Sequence, residues 1–175
     1  MIEKEMLIEY IRMSTADVFS TMLGIEVCPE AEFSDPNGPA VSDGVLALVG
    51  IAGSWAGTGA ISCSAAFACR ICNQLLMSEA ASVNEEVLDA VGEVANMVIG
   101  NFKTRLEESL GPLGLSIPTV IYGRNFTSRS LGTNSWIVLP FQCDDETITI
   151  RCCLAPANDP HPARNGFSYA TALPV

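Results

Sequence analysis

The stretch LDAVGEVANMVIGNFK, Leu88 to Lys103, decides how the rest of the chain is read. On a helical wheel at about 100° per residue, Leu88, Val91, Ala95, Ile99, Phe102 and Leu106 fall into one sector about 60° wide, with Val98 at its edge. That sector is expected to face a sheet. Asp89, Glu93, Asn96, Gly100 and Lys103 recur at steps of four, three, four and three, so they stack on a separate face. The polar residues therefore need no burial. Val94 and Met97 occupy a third sector and predict a neighbouring element, the first helix.

The plainest reading of such a stripe is the solvated side of an amphipathic helix. Two details speak against it. The stripe lacks a run of Lys–Glu partners. Gly92 and Gly100 also lie on or beside it, where each costs about 1 kcal/mol relative to Ala in a helix interior. Glycines there would lower the helix profile and let another macromolecule approach.

Outward from this helix, the chain alternates helical and strand patterns. Glu3 to Leu23 reads as a helix closed by Gly24. IEVCP is a short strand candidate, and EAEFSDPNGPAVSDG reads as a loop. Val45 to Ile51 and Gly57 to Cys63 read as two strands around a glycine-rich turn. Ala65 to Met77 reads as a shorter helix. Asn84 caps the long helix, which runs to Glu108, with two glutamates in its first turn where the helix dipole favours them. Ile117 to Tyr122 reads as a strand, GRNFTSRSLGTNS as a polar loop, and Trp136 to Cys143 with Thr147 to Leu154 as a hairpin. The expected class is α+β: a mainly antiparallel sheet with two long helices and one shorter helix packed on it. TMLGIEV, NMVIGN and GLSIPTV echo one another and suggest an internal duplication. One domain over 1–155 and a Pro-rich C-terminal tail over 156–175 are expected.

Composition narrows the function classes. The chain has 175 residues, 49% of them hydrophobic, enough for a sizeable core. Its formal net charge of −11 opposes phosphate backbones and anionic membranes, so no nucleic-acid or membrane partner is expected. No run approaches the ~18 apolar residues of a membrane span. MIEKEMLIEY does not resemble a signal peptide, so a cytoplasmic location is expected, with the seven cysteines reduced.

Asp89-x3-Glu93-x2-Asn96 resembles the Asp/Ser-x3-Glu-x2-Asn signature of the CheC/CheX/FliY phosphatases of bacterial chemotaxis. GEVANMVIGNFK resembles their active-site helix, VFSTMLGIEV their N-terminal helix and first strand, and LSIPTVIYG the strand after the site. The likeness runs in order from Glu3 to Leu154. In the first helix, STADVFST places Val18 where Glu would fall and Thr21 where Asn would fall. One site only is therefore expected, as in the CheX-like branch. The resemblance implies a pseudo-duplicated architecture and a phosphatase acting on the aspartyl phosphate of a CheY-like response regulator. It also implies a homodimer joined through the sheets. Magnesium would belong to the regulator's pocket, with no cofactor or metal in this chain.

The chemistry suits those residue types. An acyl phosphate is already activated, so its hydrolysis needs chiefly an in-line water and charge neutralisation. A carboxamide such as Asn96 can accept from and donate to one water without changing protonation. Glu93 could pair with the lysine of the regulator's pocket and fix the register of Asn96. Asp89, Gly92, Gly100 and Lys103 would shape the docking surface. A non-catalytic module of the same architecture, binding a regulator or a flagellar-switch protein, is the alternative.

Other motifs carry less. Cys69 and Cys72 form CRIC, but the single histidine, His161, and the lack of a second CxxC argue against tetrahedral zinc. Both read as buried structural thiols, as do Cys63, Cys143, Cys152 and Cys153. GSWAGTG lacks the Lys-Ser/Thr of a P-loop and reads as a turn.

Overall fold

The computed structural model describes residues 3–127 and 135–157, with backbone alone at 40–42 and 125–127. The expected tail beyond 157 and most of the expected loop at 123–135 lie outside the described residues.

Three helices lie on one face of a sheet. Helix α1 (Lys4–Val18) runs into a π-helical turn, Phe19–Leu23, which Gly24 ends in a left-handed conformation at φ 63°. Strands β1 (Cys28–Pro29), β2 (Phe33–Asp35), β3 (Ala40–Gly53) and β4 (Trp55–Cys63) follow. Helix α2 (Ala65–Leu76) is capped by Ser64, whose Oγ accepts from the Phe67 N–H, and α3 (Glu85–Leu110) by Asn84, whose side chain accepts from the Val87 N–H. Strands β5 (Leu113–Leu115), β6 (Thr119–Thr127), β7 (Trp136–Cys143) and β8 (Glu146–Pro156) complete the order.

The eight-stranded sheet is antiparallel in every pairing, in the order β1-β7-β8-β4-β3-β5, with β2 also on β7 and β6 also on β3. This order verifies the suspected duplication. Exchanging α1 with α3, β1 with β5, β2 with β6, β3 with β7 and β4 with β8 leaves every pairing in place. The axis falls between β4 and β8, and α2 stands outside the repeat.

Sequence expectation and structure differ at the sheet edges. The segment expected to loop through residues 30–44 contains β2 and the first turn-rich residues of β3. β5 lies inside the LGPLG stretch expected only to end the helix. β6 runs through Gly123 to Thr127, into the expected polar loop. All three are edge or end pieces rich in Gly, Pro and polar residues. Ladder bonds to β7 and β3 hold them, which no local pattern reveals.

Strand alternation divides the sheet cleanly. Val45, Ala47, Val49 and Ile51 on β3, Ile61 and Cys63 on β4, Leu139 and Phe141 on β7 and Ile148, Ile150 and Cys152 on β8 meet the helices in one core. From α3, Val91, Val94, Ala95, Val98, Ile99, Phe102 and Leu106 enter it. A Cβ on Gly59 would overlap the Ile99 side chain, so that glycine lets α3 settle directly onto β4. The opposite face carries a smaller cluster of Leu46, Ala60, Trp136, Val138 and Cys153.

The seven cysteines are free thiols, and all but Cys28 are buried. Burial raises the pKa of Cys63 to about 12 and also raises those of Cys152 and Cys69. The raised thiols stay protonated, and the six buried cysteines, Cys69 and Cys72 included, pack as small apolar groups.

Candidate functional site

The sectors of α3 fall where the spacing places them. Val91, Ala95, Ile99, Phe102 and Leu106 are buried, Leu88 packs half-buried against the core, and Val94 is buried. Asp89 and Glu93 are exposed, and Asn96, Gly100 and Lys103 are half-buried along the outward stripe. Among the described residues no hydrogen bond or ion pair engages the side chains of Asp89, Glu93 or Asn96. A free carboxylate and a free carboxamide thus stand one turn apart on a helix that core packing and an N-cap hold rigid.

Glu85, Leu88, Asp89, Gly92 and Glu93 form one wall of an open groove of about 500 Å³, and Pro118 and Val120 form the other. Among the described residues three carboxylates line it and no basic side chain does, so the groove favours a cation. The segment LSIPTVIYG thus supplies half of the groove. The sequence reading used it only as the strand after the site. The irregular link between β5 and β6 places Pro118 beside Gly92 of α3.

Three residues of this stripe that were expected to shape a docking surface also have neighbours within the chain. Gly92 is buried, and a Cβ there would stand 3.1 Å from Val120 Cγ2 and 3.7 Å from Pro118 Cβ. The clearance it provides is used first by this chain's own β6. Gly100 likewise faces Leu115, whose Cδ1 would lie 3.9 Å from such a Cβ. Lys103 is paired within its own helix. Its Nζ lies 2.8 Å from Glu107 Oε2, while Glu107 Oε1 accepts the Leu113 N–H at 2.8 Å. That backbone donor first, and then Lys103, holds the Glu107 carboxyl below the ordinary carboxylate range. The arrangement ties the end of α3 to β5.

The counterpart of the site on α1 also shifts. Val18 is 3% exposed and packs in the core, so it does not stand where Glu93 does. Leu7, Ile8, Ile11, Thr15 and Phe19 are buried as Val94, Ala95, Val98, Phe102 and Leu106 are, each pair 87 residues apart. By that register Met6 and Glu9 replace Glu93 and Asn96. A single site remains the result, reached through different residues.

No helix among the described residues is long and apolar enough to cross a membrane, and no group of three or more metal-ligating side chains gathers there.

A pseudo-twofold α+β sheet bearing one helix with an outward Glu-x2-Asn pair defines the class of CheC-like proteins. The comparisons agree. A sequence model of the family described as chemotaxis phosphatase CheX matches residues 45–142. The chain therefore belongs to the CheX family of chemotaxis phosphatases. Among solved structures it is similar to a CheC-like superfamily protein from Shewanella sp. PV-4, at 28% identity and a TM-score of 0.78, covering 87% of this chain and 99% of that one. It is also similar to the chemotaxis protein CheX from Vibrio vulnificus, at 28% identity and a TM-score of 0.74, over 85% and 99% of the two chains. A CheX–CheY–BeF3–Mg complex from Borrelia burgdorferi shares the fold at 23% identity and a TM-score of 0.70, over 85% of this chain and 97% of that one. Among curated proteins none matches.

Proposed function

We propose that this chain hydrolyses the aspartyl phosphate of a CheY-like response regulator in the cytoplasm. Asn96 orients the attacking water, and Glu93 pairs with the lysine of the regulator's pocket. Family membership supports the reaction class. The observation that carries the residue assignment is that Glu93 and Asn96 share one outward face with their side chains unengaged. In such a transfer the protein supplies position and charge rather than covalent chemistry. A carboxamide fixed on a rigid helix holds a water in line, and a carboxylate one turn away sets the partner's register. Asp89 adds charge to the groove that receives the cation. Magnesium, held by the regulator, neutralises phosphoryl charge, and no residue of this chain is assigned to it.

Asn96→Ala tests the reading. Phosphate loss from each purified, phosphorylated response regulator of the source organism is measured with and without the protein. The variant keeps its melting temperature and still binds, but acceleration disappears. Undiminished acceleration by Asn96→Ala removes the water-positioning role. Binding without acceleration by the wild type selects the non-catalytic module.

Two copies join through the sheet in this reading. Its second face carries no helix among the described residues. There Phe33, paired with Val138, and Ile121, paired with Leu46, are 49% and 36% exposed. A monomer by light scattering at micromolar concentration refutes that part.

A further inference from the structure

The link between β5 and β6 crosses the site in a defined direction. Leu115 sits beside Gly100, and Pro118 sits beside Gly92. Asn96 lies midway between those glycines on α3, and Ser116 and Ile117 lie midway between their neighbours on the link. Ser116 and Ile117 therefore bridge the neighbours of Gly100 and Gly92, the stretch of α3 that holds Asn96.

Ile117 is 87% exposed, yet its backbone is held from both sides. The Gly50 N–H donates to Ser116 Oγ at 2.8 Å, and the Ser116 N–H donates to the Gly50 carbonyl at 2.9 Å. Ser116 Oγ in turn donates to the Ile117 carbonyl at 2.8 Å. Pro118 then fixes its own φ and restricts Ile117 to extended backbone. A large aliphatic side chain held in water on a braced segment makes no contribution to the core. It is preorganised for a partner, because little conformational entropy is lost when it docks.

We propose that Ile117 is the apolar anchor that seats the phosphorylated response regulator on this site. The inference rests on the phosphatase reading above and names a positioning residue for it. The regulator is the occupant because Ile117 adjoins Pro118, a wall of the same groove, whose opposite wall is acidic through Glu85, Asp89 and Glu93. A partner that brings a lysine to Glu93 must cover the neighbouring link. An aliphatic knob beside charged contacts excludes water from them and supplies affinity they lack alone.

The test uses the full chain and a regulator that the wild type dephosphorylates. Ile117→Ser, Ile117→Leu and Asn96→Ala are compared for affinity to the beryllofluoride- and magnesium-loaded regulator and for dephosphorylation under saturating conditions. Ile117→Ser weakens affinity between about tenfold and about 100-fold, the range expected for losing one buried aliphatic side chain. It raises KM in proportion, leaves kcat unchanged and keeps the melting temperature. Ile117→Leu restores affinity. Asn96→Ala shows the opposite split, with kcat lost and binding kept. Unaltered affinity in Ile117→Ser overturns the anchor while wild-type acceleration still upholds the phosphatase reading. Unaltered affinity with a changed oligomeric state assigns Ile117 to self-association instead. If the wild type accelerates no regulator's dephosphorylation, the phosphatase reading itself has failed, and that control separates the two failures.

Discussion

Helices α1 and α3 are copies in position and opposites in use. The same five buried positions hold each against the sheet, and the π-helical turn after α1 and the end of α3 both reach a glycine with positive φ, Gly24 and Gly111. Yet α3 extends over 26 residues and carries Glu93 and Asn96, whereas α1 spans 15 and carries Met6 and Glu9 at those places. Packing therefore does not demand the functional pair. A buried face can be kept through a duplication while the outward face of one copy is given up. That difference separates the requirements of the fold from those of the chemistry.

The largest effect expected from breaking the comparison is on stability. Phe102 is fully buried on α3, and its counterpart Thr15 is buried on α1 with its hydroxyl donating to the Ile11 carbonyl at 2.8 Å. Phe102→Ala removes a large core side chain and costs about 3–5 kcal/mol. Thr15→Ala costs about 1 kcal/mol, near the worth of one hydrogen bond. Urea unfolding measures both. Equal losses in the two variants refute the view that α3 is the principal core helix.

Next comes activity. Asn96→Ala lowers the dephosphorylation rate about 100-fold or more, as loss of a positioned polar group does. Glu9→Ala, its counterpart, leaves the rate unchanged. A comparable loss in Glu9→Ala would mean that α1 retains a working site and that the asymmetry is wrong.

Much of this contrast was legible in the sequence. The 3.6-residue period fixed the faces of α3, because its apolar residues are spaced to meet the sheet, with α1 and α2 packed beside it. Asn84 and Gly24 announced their helix ends through local chemistry. The register of α1 was less legible. STADVFST put Val18 and Thr21 at the signature positions, but Ser14 and Val18 turn inward, and the helix-ending glycines Gly24 and Gly111 set which residues correspond. The groove was half legible. Its second wall, Pro118 and Val120, comes from an edge strand held by pairing to β3, and a single chain's periodicity does not report such long-range ladders. Gly92 stands out in the sequence for its cost, and its nearest neighbours in the fold are Val120 and Pro118.

Gly100 allows a finer cut. A Cβ there meets only ordinary van der Waals contact at 3.9 Å, so Gly100→Ala gains helix propensity without a clash. It stabilises the protein by about 0.5–1 kcal/mol. If Gly100 serves only the fold, activity is unchanged. A stabilised variant with weakened regulator binding shows that the partner also uses the open space. A destabilised variant contradicts the packing described for Leu115.

The smallest expected effect concerns acid. On α3, Glu107 accepts the Leu113 N–H and pairs with Lys103, and its carboxyl titrates below the ordinary range. By the same 87-residue register its counterpart on α1 is Ser20, which donates to the Asp17 carbonyl and does not titrate. A carboxyl with a lowered folded pKa stabilises the native state fully above its unfolded pKa of about 4.3. That contribution is lost as pH falls through the lower, folded value, because protonation removes the acceptor. The protection of the Leu113 amide against exchange, relative to its intrinsic rate at each pH, should therefore fall on acidification below about pH 4, beyond any change at Gly24 or Ile25. Glu107→Gln should flatten the difference. Because the pair is partly exposed, salt should also shrink it. Parallel acid sensitivity at both helix ends would show that the copies are fastened alike, and that the asymmetry is confined to the outward stripe.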